Sequence, residues 1–240
     1  MMNIFFTYLY MILRFIRKHK PVFLHKNQPK PLLIIPNSLL PYGLPVSEKN
    51  LYIIYRNGYV CGYDQQYRIP KWVCWTNYYN NINKLDVPRY NCFENDDAMV
   101  VSSNPDEFHK SGFDMGHLCP CEDMSYSSLT QRESFIMTNI VPQYPHFNRV
   151  IWSRLEDHCR GVVRENKSDY WNIVIPIYDD ACKKIDGITI PSRFERMIIN
   201  LTTYEKTCFS YLHDNDLVID NPSKYQVDSL SDIEIRWLTK

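Results

Sequence analysis

Glycine is scarce, with 7 in 240 residues, and the 15 prolines are scattered; together these exclude a collagen-like repeat and any Gly/Ser-rich linker. No stretch repeats at a solenoid-like period, so the chain reads as one compact unit with a tail. The eight cysteines (Cys61, Cys74, Cys92, Cys119, Cys121, Cys159, Cys182 and Cys208) form no CxxC pair and no dense framework, which excludes a disulfide-stapled small domain. They are expected to be mostly reduced and buried. His117, Cys119 and Cys121 come nearest to a metal cluster, but H-x-C-x-C matches no usual tetrahedral zinc spacing and brings no obvious fourth ligand.

An excess of positive charge is also missing, because Lys plus Arg and Asp plus Glu number 27 each. Six of the basic residues (Arg14, Arg17, Lys18, Lys20, Lys26 and Lys30) precede the first acid, Glu48, which leaves the rest of the chain net acidic by six. A body of that sign does not hold nucleic acid by bulk charge. Any such binding must use a local basic patch and be sensitive to salt.

A long hydrophobic run is absent. The apolar segment "IFFTYLYMILRFI", residues 4–16, is interrupted by Arg14 and followed by "RKHK". As a helix it spans ~20 Å against a hydrocarbon core of ~30 Å, so a transmembrane span is marginal. It has neither basic residues before it nor small residues after it, as a cleavable secretory signal would. An acid-free, Arg/Lys-flanked leader suits mitochondrial targeting or anchoring. The alternatives are membrane association or secretory entry through residues 4–16, or an apolar helix packed on the body.

Residues 21–46 are punctuated by proline and read as a linker, so the expected boundary divides a leader and linker, 1–41, from a domain, 42–240. The domain opens β-rich. "NLYIIYRNGYVCGYD" carries two β-branched and aromatic runs around Asn57-Gly58, a hairpin signal; "KWVCWTN" and "NIVIPIYD" (172–179) are further strands, and "RMIINLTTYEKTCFSYL" (196–212) is a second hairpin. Between them, Trp152, Leu155, Cys159 and Val162 make one apolar stripe at helical spacing, predicting a helix over 148–166 with Asn148 as its N-cap. Asn148 and Glu156 lie eight residues apart on it and lean toward one side. A second short helix is expected in "SLSDIEIRWLT". Strands around one long helix indicate an α+β fold.

Hydrolysis of a phosphodiester needs a base for water, a cation for phosphoryl charge and a scaffold for both. His117, in "SGFDMGHLCP", suits the first; Asn148 and Glu156, with Asn139 just upstream, offer the oxygen donors a hard Mg²⁺ prefers. Taken singly, each also fits an ordinary role: a turn histidine, a helix cap, a loop residue, a solvated helix face. The weight comes from their joint arrangement.

That arrangement resembles the DNA/RNA non-specific endonucleases, the ββα-metal (His-Me finger) nucleases that include endonuclease G. "SGFDMGHLCPCEDMS" is similar to the family's "SGFDRGH" segment, "SFIMTNIVPQ" to its "TFYLSNxxPQ" strand and "FNRVIWSRLEDHCRG" to its "FNxxxWxxLExxxR" helix. "YGLP" (42–45) and "DSLSDIEIRWL" are similar to the start and close of the endonuclease G body. The resemblance implies a central antiparallel sheet with one long metal-bearing helix, and sequence-nonspecific cleavage of DNA and RNA. His117 would be the general base, with activity rising as its imidazole loses a proton. Asn148 would be the one direct protein ligand of a single Mg²⁺, with Mn²⁺ as a substitute. Glu156 and Asn139 would hold the ion's waters or order the site, and Asp114 would support the histidine strand. A homodimer is a further expectation from the family. Two departures stand out: Met115 replaces the family's phosphate-contacting arginine, and Glu122 replaces a small residue. Arg149, Arg154, Arg160 and Lys110 are candidates to restore the lost phosphate contact. The rival readings are an impaired relative that only binds nucleic acid or a protein partner, and a zinc-structured module.

Overall fold

The computed structural model describes residues 22–24 (backbone only), 39–45, 51–82, 87–99, 101–179, 181–218 and 221–230. The apolar run 4–16 and nearly all of the expected C-terminal helix lie outside the described residues.

One large antiparallel sheet forms the frame. Its order is β1 (Val22–Leu24), β2 (Tyr52–Tyr55), β3 (Tyr59–Asp64), β4 (Ile69–Asn77), β7 (Tyr170–Ile177), β10 (Arg193–Asn200), β11 (Lys206–Leu212) and β12 (Gln226–Val227). Both expected hairpins form, β2 with β3 and β10 with β11. At Asn57-Gly58 the glycine is needed for a close approach rather than a left-handed turn, since a Cβ there would sit 2.2 Å from Met124 Sδ. β1 falls within the segment read as a linker, where it pairs with the edge of β2.

Strand alternation divides the apolar residues between the two faces. On one face Trp72, Cys74, Trp171, Ile173, Ile175, Met197 and Ile199 pack with Leu39, Leu40, Leu51 and Leu230. On the other, Val73, Trp75, Val174, Phe194, Ile198, Phe209 and Tyr211 meet the helix residues Phe147, Ile151, Trp152, Leu155, Cys159 and Val163. The helical stripe ends on Val163, with Val162 only partly buried. Outside the large sheet, β5 (Asp114–His117) and β6 (Ile140–Gln143) form a two-stranded ribbon, and β8 (Lys184–Ile185) pairs with β9 (Ile188–Thr189). The short helices α1 (Tyr79–Ile82) and α2 (Ser128–Ser134) precede the long one, α3 (Ser153–Asn166). This is an α+β protein in which an antiparallel ribbon feeds into one long helix laid on a sheet.

The helix begins earlier and less regularly than its stripe suggests. Helical backbone runs over 145–166, with a π-turn at Phe147–Trp152 in which the Ser153 N–H donates to the Asn148 carbonyl five residues back. Asn148 is therefore not the N-cap. Pro145 supplies the first helical position, where its missing N–H costs nothing, and this moves the start upstream of Asn148.

Candidate functional site

The ribbon sets the site. Its register pairs Asp114 with Gln143 and His117 with Ile140, and the period of two puts Asp114 and Gly116 on one face and Met115 and His117 on the other. Asp114 accepts from Asn148 Nδ2 at 3.0 Å, from Arg149 Nε at 2.8 Å and from Arg149 Nη2 at 2.6 Å. A carboxylate only accepts, so the Asn148 amide must present its NH₂ to Asp114, which turns its carbonyl oxygen away. Burial pushes the Asp114 carboxyl up, but the bonds from Arg149 and Asn148 outweigh it and hold the group ionised, below its usual range.

The π-turn aligns Asn148 with Glu156. In a regular helix eight positions leave the two about 80° apart, at about 100° per residue. A turn closed by an i to i−5 bond absorbs one extra residue, so the separation approaches about seven α-steps, close to two full turns. Both side chains then emerge on one side. Burial raises the Glu156 carboxyl to about 8, with the Arg160 and Arg196 charges only partly offsetting it.

His117 is buried, with its ring against Phe135 (4.7 Å between centroids, edge-on) and Phe93 (5.4 Å) and its Nε2 without a hydrogen-bond partner among the described residues. Burial, assisted by the Arg89 charge, lowers its pKa to about 3, so the imidazole is neutral well below neutrality. Asn139 is fully buried, and its side chain is engaged by backbone: Oδ1 accepts from the Cys119 N–H at 2.9 Å, and Nδ2 donates to the carbonyls of Cys119 (2.9 Å) and Ser134 (2.8 Å). It thus fixes the chain leaving His117.

Below that loop lies a charged core. Asp123 accepts from Arg160 Nη1 (2.9 Å), Trp75 Nε1 (3.0 Å) and Asn77 Nδ2 (2.9 Å), tying the loop to both helix and sheet. Arg160 also pairs with Asp157 (2.6 Å) and with Glu122 (2.8 Å), the residue that replaces the family's small one. Its side chain is 3% exposed and is held by these three carboxylates. Arg149 remains 69% exposed beside Asn148 although Asp114 holds it. Arg154 and Lys110 are exposed. Met115 packs against the cluster of Ile69, Phe108, Met137, Ile140 and Ile188.

One basic residue near His117 has no counterpart among the candidates that the sequence offers. Arg89 lies over the Phe135 ring (5.3 Å) and donates to Cys121 Sγ (2.7 Å), close enough for its charge to act on His117. It precedes "YNCFENDD" without motif or periodicity; only a search of the upstream loop for isolated arginines would have found it.

The fold and site so described define a ββα nuclease class, and comparison with known proteins agrees. The profile of the DNA/RNA non-specific endonuclease family matches residues 35–236. The chain belongs to that family. It is similar to a nuclease of Nostoc sp. (29% identity over 154 residues, 62% of this chain and 55% of the relative) and to mitochondrial nuclease EXOG of Danio rerio (30%, 66% and 49%). It is also similar to mitochondrial endonuclease G of Bos taurus (31%, 56% and 45%). The chain spans about half the length of the curated relatives it matches. A chain of the EndoG/EndoGI complex shares the fold with a TM-score of 0.68 at 22% identity, covering 82% of this chain and 87% of that one.

Proposed function

We propose that the protein is a metal-dependent, sequence-nonspecific endonuclease that hydrolyses phosphodiester bonds of DNA and RNA. The observation that carries this is the Asp114–Asn148 hydrogen bond across the ribbon–helix junction, three residues from a neutral, buried His117. It leaves an oriented amide oxygen and an imidazole base on one small scaffold. The donors suit a hard divalent ion. Asn148 offers an amide oxygen and Glu156 a carboxyl, while among the described residues no three His, Cys, Asp or Glu side chains gather as a metal cluster. A site with so few protein ligands favours Mg²⁺, which keeps its waters and takes phosphate oxygens, with Mn²⁺ as a substitute. Asn148 would hold the ion directly and Glu156 through water; when bound, the ion supplies charge stabilisation to the phosphoryl oxygens.

His117 takes a proton from the attacking water, a role that requires its neutral form, which burial favours. Phe93 and Phe135 fix the ring plane, and Asn139 fixes the backbone behind it. Arg89 and Arg149 supply the positive charge that Met115 does not, one beside the base and one beside the metal ligand. The mitochondrial naming of several relatives supports a mitochondrial location. The test is nicking of supercoiled plasmid with and without EDTA by the parent and His117→Ala. Cleavage that stops with EDTA and falls about a hundred- to ten-thousand-fold in the variant is expected. Equal cleavage by the variant would remove His117 from the mechanism. A second reading, an impaired relative that binds nucleic acid without cutting it, is favoured by Met115 packing into an apolar cluster. It predicts binding without nicking.

A further inference from the structure

The metal-bearing helix has no side-chain cap of its own. The first turn of any helix leaves backbone N–H groups without intrahelical partners. Here Pro145 removes one donor, and two of the remaining groups are taken up by a distant segment, the loop after β11. The Tyr144 N–H donates to His213 Nε2 at 2.8 Å, and the His146 N–H donates to Asn215 Oδ1 at 3.3 Å. Because a backbone amide must be the donor, His213 Nε2 accepts, and the ring proton sits on Nδ1, which donates to the Pro191 carbonyl at 2.7 Å. Both ring nitrogens are therefore committed. The ring is 7% exposed and packs edge-on against Phe147 (4.9 Å) and Phe194 (5.1 Å) and beside Tyr144 (4.6 Å), with Leu217 of the same loop anchored on the main core.

These contacts fall on the residues that flank Asn148 and on the π-turn that aims it. We propose that the His213–Asn215 loop caps this helix from a distant part of the same chain, and that His213 and Asn215 are positioning residues that set the affinity of the Asn148 site for its divalent ion. The inference rests on the metal reading of the preceding section. Its physical content is that the π-turn is held from outside the helix: with the Tyr144 amide released, the β6–helix junction can relax and the Asn148 amide is no longer presented in one orientation.

The experiment is a calorimetric Mg²⁺ titration of the full chain and its variants, with amide hydrogen exchange at Tyr144 and His146 and urea unfolding alongside. His213→Phe keeps the ring packing and removes the acceptor. It should speed exchange at Tyr144 and weaken Mg²⁺ binding about tenfold, the low end for loss of a group that orients a metal ligand. His213→Gln, whose amide oxygen can accept in place of Nε2, should restore most of that affinity. Asn215→Ala alters an exposed residue and so tests the idea without threatening the fold; it should weaken binding by a smaller factor with faster exchange at His146. Faster exchange with unchanged Mg²⁺ affinity in His213→Phe, or no recovery in His213→Gln, would overturn the proposal by showing a purely structural contact. If the parent itself takes up no Mg²⁺, the metal reading fails and this inference falls with it.

Discussion

Gly116, between Met115 and His117 on β5, is the position where one methyl group should report most directly on how the ribbon is built. Its φ is not in the left-handed region, so the backbone tolerates alanine. The obstacle is steric: a Cβ at 116 would lie 2.2 Å from Gln143 Cδ, 2.4 Å from its Cγ and 2.6 Å from its Oε1. Gln143 is fully buried, and among the described residues neither of its amide atoms has a hydrogen-bond partner. Overpacking of this kind costs about 1–3 kcal/mol. For a chain of this size each kcal/mol lowers the melting temperature by about 2–4 °C, so Gly116→Ala should melt about 2–12 °C below the parent. Cleavage should fall with it, since His117 is the next residue. The decisive measurement is a double-mutant cycle by urea unfolding. Gln143→Ala deletes all three of the nearest atoms, so in that background Gly116→Ala should be close to neutral, giving a coupling of about 1–3 kcal/mol. If the glycine substitution costs as much with Gln143 removed as with it present, the close approach to Gln143 is not what requires glycine here.

Two further outcomes follow from the same site and one from the leader. Burial lowers the His117 pKa from 6.5 to about 3, so the unfolded chain binds one more proton than the folded one between those values, and stability must fall as pH falls through that window. The loss should reach about 3 kcal/mol by pH 4.5 from this group alone; urea unfolding should show it shrink in His117→Ala, and the rate profile of the parent should lack an inflection near 6.5. Met115→Arg should raise the single-turnover rate, where about 1.4 kcal/mol of added transition-state binding reads as tenfold, while Met115→Ala should not; a slower Met115→Arg enzyme would mean that Arg89 and Arg149 already fill the phosphate contacts. Residues 1–47 fused to a fluorescent protein should deliver it to mitochondria, and diffuse or secretory signal would refute that address.

The fold was legible where a strand or helix carries its own pattern. β2 and β3 around Asn57-Gly58, β4, β7 and the β10–β11 hairpin all read as β-branched and aromatic runs, and the long helix showed its stripe of Trp152, Leu155 and Cys159. What the pattern missed depends on partners distant in sequence. β1 exists because the edge of β2 offers it a ladder, and Leu39 and Leu40 are buried because Trp72 and Trp171 leave that face of the sheet to be covered. A proline-punctuated segment gives no local sign of either. The helix start was misplaced for a related reason: an asparagine preceding an apolar stripe is a good local cap, and nothing local discloses that a loop some seventy residues away supplies the partners for the first amides.

The site divides along the same line. Residues proposed to bear chemistry were legible because their types are unusual in their contexts: a histidine on a short strand behind an aspartate, and an asparagine and a glutamate two turns apart. Residues that support the proposed site were not, because their types are ordinary and only geometry distinguishes them. Asn139 reads as a possible water holder until its amide is found committed to Cys119 and Ser134. Arg160 reads as an isolated helix cation, and only the fold shows Asp123, Asp157 and Glu122 around it. The π-turn has no sequence signature, yet without it Asn148 and Glu156 would diverge by about 80°. Met115 shows the converse, since its oddity was plain in the sequence while its consequence depends on where Arg89 and Arg149 lie. A catalytic site of this kind is specified twice, by a few reactive side chains that sequence displays and by a larger supporting set that becomes visible only once the chain is folded.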